Sequence, residues 1–242
     1  MQFHQSTLLK PFSNLICEFT SKEDGNLAFH VEDSEGNVIK NHKLLANRLH
    51  YEYTKLIHMK QIHSNLTHTI TEYDNFFTPP TCDALITNIP KKPLMVMVAD
   101  CAPILFYDPK RSVIAVAHAG RAGAFSNIIQ NVVNSFIKEY QSSPQDIYVS
   151  VGTMIHECCY EVGQEIVLEA KELGYSYAIT KKESRYFLNI PKILKDQLKN
   201  AGIKEDNSEF SSYCSACSTN THYSYRAEGN TGRFAGVIML KD

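Results

Sequence analysis

The sequence predicts a mixed α/β fold, of the α+β kind, in which mixed sheets are flanked by helices. Two observations predict it: short apolar runs with strand character recur along the chain, and segments with the 3.6-residue period of amphipathic helices lie between them. The predicted strands cover residues 83–87, 94–98, 104–107, 113–117, 147–151 and 234–240. The predicted helices cover residues 38–49, 124–140 and 191–201.

The connection between two of these strands decides the kind of sheet. Asp108-Pro109-Lys110-Arg111 separates the strands at 104–107 and 113–117 and predicts a tight hairpin. A hairpin pairs its strands antiparallel, which argues against a doubly wound parallel sheet. The helix at 124–140 has the clearest apolar period, and the helix at 191–201 has Pro191 in its first turn and Gly202 after its end.

Composition limits the classes of function. The chain has 242 residues and neither an internal repeat nor a low-complexity segment, so a single unit spanning residues 1–242 is expected. A net charge of -2 argues against a nucleic-acid partner. No apolar run is long enough to span a bilayer, and the first residues lack the plan of a signal peptide, so we expect no membrane partner and a cytoplasmic location.

Three polar side chains end strand-like apolar stretches. Cys101 follows the run at 94–98, His118 follows the run at 113–117, and His63 ends the stretch at 59–63. Proline or glycine breaks the chain beside the first two, and stiff strands that deliver side chains to such breaks are typical of active sites. Cys101, His118 and His63 are therefore the predicted catalytic residues.

The chemistry of these three residues leaves two interpretations open. One thiolate and two imidazoles give zinc three protein ligands and leave a fourth position free, as in catalytic zinc sites. Without a metal, Cys101 is a nucleophile and His118 its base. Taken one at a time, each side chain is as compatible with an ordinary packing role. Copper also binds such donors, but no closely spaced histidine pair of the H-x-H kind supports a multicopper oxidase.

A glycine-rich segment suggests an anion site. Gly120-Arg121-Ala122-Gly123 leads directly into the predicted helix at 124–140, and free amide groups at a helix start favour a phosphate. A plain tight turn explains the same residues. Arg226 and Arg233 lie in polar turns and are either further anion ligands or ordinary surface residues. Dinucleotide and P-loop motifs are absent from the sequence.

The sequence gives little support for a metal site at the cysteines near residues 158 and 214. The chain has seven cysteines, an odd number, and they are spread along its length. This pattern disfavours a disulfide framework and favours reduced thiols or metal ligands. Because adjacent residues point in different directions, Cys158 and Cys159 are predicted to be small packing residues. Cys214 and Cys217 form a lone C-x-x-C, which is weak support for a zinc ribbon.

Several motifs together resemble the YfiH-like family, also called laccase-domain or polyphenol-oxidase proteins. The matching stretches are 61–63, 83–87, 99–103, 118–120, 158–163, 224–226 and 231–233, with further matches at 19–21, 26–27 and 47–48. They occur in the order that the family has and cover almost the whole chain. The resemblance implies a single mixed α/β domain of cysteine-hydrolase-like architecture, a site in a surface cleft, and zinc held by His63, Cys101 and His118.

The resemblance also implies an activity. Family members are purine nucleoside phosphorylases that convert adenosine, inosine, guanosine or methylthioadenosine to the free base and a sugar 1-phosphate, often with adenosine deaminase activity. The expected partners are a small-molecule nucleoside and phosphate, and the expected state is a monomer or homodimer. The expected substrate-binding residues are Asn26, Arg48, Gly120, Arg121, Gly123 and Arg226.

Three alternatives to the phosphorylase remain open at the level of sequence. They are a Cys/His amidase or hydrolase that edits cell-wall precursors, a copper-dependent polyphenol oxidase, and a nucleoside-binding module without turnover. The chain also departs from the family pattern: Arg121-Ala122 replaces a usual Trp-Arg, Lys22 a usual Arg, Ala227 a common Arg and His156 a usual Gly. We expect Arg121 to take over the role of the neighbouring arginine.

Overall fold

The computed structural model describes residues 5–241 and contains three sheets with helices packed against them. The strands are β1 (Leu15–Phe19), β2 (Thr67–Thr69), β3 (Ala84–Thr87), β4 (Leu94–Val98), β5 (Ala102–Asp108), β6 (Val113–Ala119), β7 (Tyr148–Val151), β8 (Glu161–Val162), β9 (Ile179–Lys182), β10 (Arg185–Leu188), β11 (Ser208–Phe210) and β12 (Phe234–Leu240). The helices are α1 (Glu35–Arg48), α2 (Arg121–Phe125), α3 (Ile128–Tyr140), α4 (Gln164–Glu172), α5 (Ile190–Asn200) and α6 (Tyr225–Glu228).

The largest sheet is mixed and has the strand order β11-β7-β5-β6-β3-β2. Its centre is antiparallel, and β5 and β6 form the predicted hairpin with Asp108 opposite Val113. The Asp108 carboxylate accepts a hydrogen bond from the Lys110 amide at 2.8 Å, which closes the turn. The mixed α/β class and the hairpin predicted from the sequence are thus confirmed.

Apolar side chains on both faces of this sheet produce a layered core. One face packs on the smaller sheet β1-β12-β4 through residues such as Leu105, Val116 and Phe234. The other face packs on α3 and α5 through residues such as Phe106 and Phe136. Because both faces are covered, β4, β5, β6 and β12 are buried along their whole length.

The outer face of the smaller sheet carries a third apolar cluster. Met95, Met97 and Val237 project there and pack with Leu45 of α1. The main body is therefore a helix layer, two stacked sheets and a second helix layer, and β4 leads directly from the smaller sheet to the larger one through residues 99–101. The separate sheet β8-β10-β9 lies in the chain between β7 and α5.

One sequence prediction about the helices is wrong in detail. The single helix predicted at 124–140 is two helices, since the chain breaks at Ser126 and Asn127. Asn127 has a φ of 57°, which a helix interior does not allow, and its side chain caps α3 by accepting from the Gln130 amide.

Among residues 5–241, helices with the length and apolar character needed to cross a bilayer are lacking.

Candidate functional site

The ends of three adjacent strands place most of the predicted site. In the antiparallel β5–β6 pair, Pro103 lies opposite His118, so Cys101, which directly precedes β5, adjoins the end of β6. On the other side of β6, β3 pairs antiparallel with Ala84 opposite Ala117. Strand pairing therefore brings Cys101, His118 and the residue before β3 to one edge of the sheet.

His63 arrives on a loop. The stretch 59–63, predicted to resemble a strand, has only an isolated bridge between Lys60 and Thr81 within the described residues. Gln61 fixes the loop by exchanging hydrogen bonds with the Met97 backbone, accepting from its amide at 3.0 Å and donating to its carbonyl at 2.8 Å. His63 itself has a φ of 60°, a conformation held by the surrounding contacts.

The three predicted residues form one compact cluster. The donor atoms of His63, Cys101 and His118 lie within 4.8 Å of one another, and the two imidazole rings meet edge to face with centroids 4.8 Å apart. Burial disfavours a thiolate, but the neighbouring imidazoles of His118 and His63 outweigh it and lower the pKa of Cys101 to about 6. Burial likewise disfavours an imidazolium, yet Cys101 and Asp83 raise the pKa of His118 to about 9.

Asp83 is a site residue that the sequence analysis missed. Its carboxylate is fully buried and accepts from His118 Nδ1 at 2.8 Å, from the His63 amide at 3.0 Å and from the Ser64 amide at 2.6 Å. Burial opposes its ionised form, but the hydrogen bonds from His118 and Ser64 lower the pKa of Asp83 to about 2. The signal available in the sequence was an acidic residue directly before an apolar, strand-like run.

The Asp83 contact leaves Nε2 of His118 as the ring nitrogen available to Cys101 or to a metal. A carboxylate that orients a histidine in this way is a common feature of metal sites. A soft thiolate with two imidazoles matches the donors that zinc takes, and three protein ligands beside an open cleft are the pattern of a catalytic site. The donor set therefore fits a metal ion.

Gly120 is required beside this cluster because of close packing. A Cβ at that position would lie 2.7 Å from Cys101 Sγ and 3.3 Å from a ring carbon of His63. Its φ of -81° is ordinary, so its lack of a side chain is what the site uses. The expected helix entrance at 120–123 is itself helical, since α2 begins at Arg121 and has only five residues.

A cleft of about 440 Å³ opens above the cluster. Arg121, Arg226 and Arg233 line it together with the three cluster residues and the aromatic side chains of Tyr160 and Tyr225. The volume is in the range of sites for small organic ligands. Three guanidinium groups around one cleft favour an anionic ligand.

The guanidinium group of each arginine in the cleft is held by different contacts. Arg121 forms an ion pair with Glu169, and its guanidinium lies 5.7 Å from the centroid of the Phe125 ring. Arg226 donates to the Glu161 carbonyl at 2.8 Å and lies 5.1 Å from the centroid of the Tyr160 ring. Arg233 donates to the carbonyls of Thr231 and Gly232 at 2.6 and 3.0 Å.

Three of the predicted substrate-binding residues are not among those that line the cleft. Asn26 is buried and accepts from the Arg233 amide at 2.9 Å, so it supports an arginine of the cleft from behind. Arg48 is paired with Glu18 and Asp24. Gly123 is buried in α2. The cleft does receive Gly120, Arg121 and Arg226, and its lining adds Arg233 and His30.

Asp100 organises the rim beside Cys101. It has a φ of 87°, and its carboxylate accepts from Ser215 Oγ at 2.6 Å, Ser224 Oγ at 2.7 Å and the Arg226 amide at 2.6 Å. Both carboxylate oxygens are therefore engaged in holding the segments after β11. The contacts assign this acid a structural role in positioning Arg226.

The structure overturns the expectation for the four remote cysteines. The sulfurs of Cys158, Cys159, Cys214 and Cys217 all lie within 4.8 Å of one another. The chain turns tightly here, with the amides of Cys159 and Tyr160 both donating to the His156 carbonyl at 3.0 Å, and this turn directs adjacent side chains to one side. Adjacent side chains point in opposite directions in an extended backbone, which these residues do not have.

The sequence matches a known family over most of its length. The family model for multi-copper polyphenol oxidoreductase laccase matches residues 19–241. The chain belongs to this laccase-domain family. The expected resemblance is thus confirmed, and it covers nearly all of the described structure.

Named relatives of this laccase-domain chain are phosphorylases. Purine nucleoside phosphorylase YlmD of Bacillus subtilis is 27% identical over 94% of this chain and 89% of its own length. A purine nucleoside phosphorylase of Corynebacterium glutamicum is 34% identical over 89% of this chain and 86% of its own length. The crystal structure of the hypothetical protein YfiH of Bacillus licheniformis has a TM-score of 0.89 at 31% identity, covering 94% of this chain and 93% of that one.

Proposed function

We propose that this laccase-domain chain is a zinc-dependent purine nucleoside phosphorylase. The observation that carries the proposal is the cluster of His63, Cys101 and His118 at the base of a cleft lined by three arginines. The substrates are adenosine, inosine, guanosine or methylthioadenosine together with phosphate. The names of the relatives support the phosphorylase class, and the donor set supports zinc.

The arginines of the cleft act on the phosphate. Arg121, Arg226 and Arg233 give the site the positive charge that a phosphate needs after it leaves water. Backbone carbonyls hold Arg226 and Arg233 from behind, so their guanidinium groups are positioned before the ligand arrives. Phosphate held in this way attacks the anomeric carbon of the sugar while the bond to the purine breaks.

The cluster residues act on the other side of the reaction. His63, Cys101 and His118 would hold the zinc, which when bound supplies Lewis-acid polarisation. Asp83 keeps His118 in one ring orientation by accepting from Nδ1, and its contact with the His63 amide fixes the loop that carries the third ligand. Tyr160 contributes an aromatic wall that suits a purine. Deamination of adenosine at the same cleft is the accompanying activity.

Product analysis tests the proposal. Zinc-loaded protein is given adenosine or inosine, with and without phosphate, and products are separated by liquid chromatography with mass detection. We expect free base and ribose 1-phosphate only when phosphate is present, and inosine from adenosine without phosphate as the mark of deamination. Cys101→Ala should abolish the products, whereas Cys17→Ala, a change at a half-buried thiol on β1, should not. Absence of base release from every purine nucleoside tested would overturn the phosphorylase.

A cysteine hydrolase is the second candidate, and the order Asp83–His118–Cys101 favours it. The carboxylate holds one nitrogen of His118, and the other side of the ring is next to the thiol, as in a nucleophile with its base and an orienting acid. Metal dependence separates the two candidates. A chelator should abolish phosphorolysis but leave or increase thiol-dependent amide hydrolysis.

A further inference from the structure

The four-cysteine cluster of Cys158, Cys159, Cys214 and Cys217 lies apart from the cluster used in the proposed reaction. We propose that it is a second metal site, a structural zinc site with four thiolate ligands. The site is formed by two loops, one between β7 and β8 and one between β11 and α6. The proposal is independent of the reaction that the cleft catalyses.

The distances between the sulfurs fit this metal. A zinc ion with tetrahedral ligands at about 2.3 Å places its sulfurs about 3.8 Å apart. Cys217 Sγ lies 3.6 Å from Cys158 Sγ and 3.2 Å from Cys159 Sγ, and all four sulfurs are within 4.8 Å of one another. Cys158 and Cys217 are exposed, so their side chains have room for the shifts that tetrahedral geometry requires.

Convergence of four sulfurs distinguishes this cluster from a disulfide. A disulfide joins two sulfurs and does not bring a third or fourth sulfur close to them. Here Cys217 Sγ contacts the sulfurs of both Cys158 and Cys159. Cys214 is buried, and its sulfur accepts a hydrogen bond from the His156 amide at 3.3 Å. Amide donors to sulfur are the outer contacts that stabilise metal-bound thiolates.

The local backbone prepares both loops for one ion. The turn at His156 directs Cys158 and Cys159 to the same side, and a 3₁₀ turn over Ser215–Cys217 brings Cys217 back towards Cys214. Met154 and Cys214 form a parallel bridge between the loops, strengthened by the Ser215 amide donating to the Met154 carbonyl at 3.0 Å. A metal held by two cysteines from each loop would cross-link them.

The two cross-linked loops support one wall of the cleft. Ser215 Oγ donates to Asp100 at 2.6 Å, and Arg226 donates to the Glu161 carbonyl at 2.8 Å and to the Cys159 carbonyl at 3.4 Å. Tyr160 directly follows Cys159 and lines the cleft. The second zinc would therefore hold the wall that carries Tyr160 and Arg226 in place.

Metal analysis of matched variants tests the proposal. The zinc content of proteins purified in reducing buffer is measured by mass spectrometry. The proteins are the wild type, Cys101→Ala, Cys217→Ser and the double variant, and Cys17→Ser is the matched control. Cys217→Ser should lose one zinc per chain relative to its parent in both backgrounds, and Cys101→Ala should retain that zinc. Any zinc that Cys101→Ala loses belongs to the cleft and not to this site. A failure of one proposal is therefore distinguishable from a failure of the other.

Two further measurements keep the result decisive if Cys217→Ser folds poorly. Cobalt added to metal-free Cys101→Ala should give the absorption of a tetrahedral tetrathiolate complex, and removal of the metal should speed amide exchange in residues 154–162. Equal zinc in Cys217→Ser and its parent would overturn the site. A peptide map with Cys159 joined to Cys217, or iron with sulfide in place of zinc, would overturn it too.

Discussion

Asp83 and His118 are joined twice. The Asp83 carboxylate accepts from His118 Nδ1 at 2.8 Å, and the Asp83 carbonyl accepts from the His118 amide at 2.8 Å. The second contact continues the β3–β6 pairing by one residue, so the sheet itself places the acid beside the ring. The orientation of the His118 ring is therefore set by the strand register.

Asp83→Asn should weaken zinc binding by about 10- to 100-fold, the usual effect of losing such an outer contact. The amide keeps the size of the carboxylate but loses its charge and presents a donor towards the Ser64 amide, which donates to Asp83 at 2.6 Å. Competition with a chelator measures the affinity. Asp108→Asn is the matched control, because Asp108 is equally buried at the far end of β5. An unchanged zinc affinity in a folded Asp83→Asn variant would contradict the role given to this acid.

Gly120→Ala should displace the Cys101 thiol and lower zinc content. The added methyl would lie 2.7 Å from Cys101 Sγ, closer than packed atoms allow, and the backbone carries it on a short helix start. Zinc content and melting temperature are measured together. Gly36→Ala in α1 is the control, since nothing lies within 4 Å of its new methyl and the change should stabilise by at most about 1 kcal/mol. Full zinc in Gly120→Ala would show that the thiol adjusts without cost.

Arg121→Ala should raise the KM for phosphate by about tenfold or more, because a hydrogen bond to a charged group contributes about 1.5–3 kcal/mol. Steady-state kinetics at varied phosphate measure it. Glu169→Gln is the informative partner variant: it removes the carboxylate that pairs with Arg121 but keeps the guanidinium. Its KM for phosphate should stay equal or fall. A KM that is unchanged in Arg121→Ala would exclude this residue from phosphate binding.

The free energy of unfolding should fall as the pH drops from about 6.5 to about 4, partly because of His42. This ring is fully buried, and burial lowers the pKa of His42 to about 4, against the hydrogen bond that it makes with the Leu27 carbonyl at 2.8 Å. In the unfolded chain its pKa is about 6.5, so between these values the unfolded state takes up the proton and the folded state does not. The shift corresponds to about 3 kcal/mol across this pH range.

Denaturant titrations at several pH values check the contribution of His42. The decline in the free energy of unfolding should be shallower in His42→Leu than in the wild type. His50→Asn, a change at an exposed residue just after α1, should leave the slope as it is. Equal slopes in His42→Leu and the wild type would mean that other groups account for the loss of stability in acid.

The sequence predicted the central strands well because their burial is complete and their apolar runs are unbroken, as in β4 and β12. It could not predict the sheet β8-β10-β9, whose strands are short and partly exposed and therefore lack both apolar runs and clean alternation. The break at Asn127 also escaped prediction. The apolar period continues through it, and only the side-chain cap and the positive φ distinguish two helices from one.

The candidate site divides in the same way. Cys101 and His118 could be predicted because Cys101 directly precedes β5 and His118 is the next-to-last residue of β6, where strand pairing fixes their positions. Asp83 and the four-cysteine cluster depend on contacts between distant segments, such as the one that joins residue 158 to residue 217. Spacing along the chain carries no information about such contacts, which only the tertiary fold creates.

The link from β4 to β5 has a mechanical consequence. Residues 99–101 leave one stacked sheet and enter the other, and Cys101 lies within this link, whereas His118 belongs wholly to the larger sheet and Gln61 anchors the His63 loop to β4 of the smaller one. The donor cluster therefore lies across the interface between the two stacked sheets. An ion that binds all three donors would cross-link the sheets and would stabilise their packed arrangement relative to any state in which they have separated.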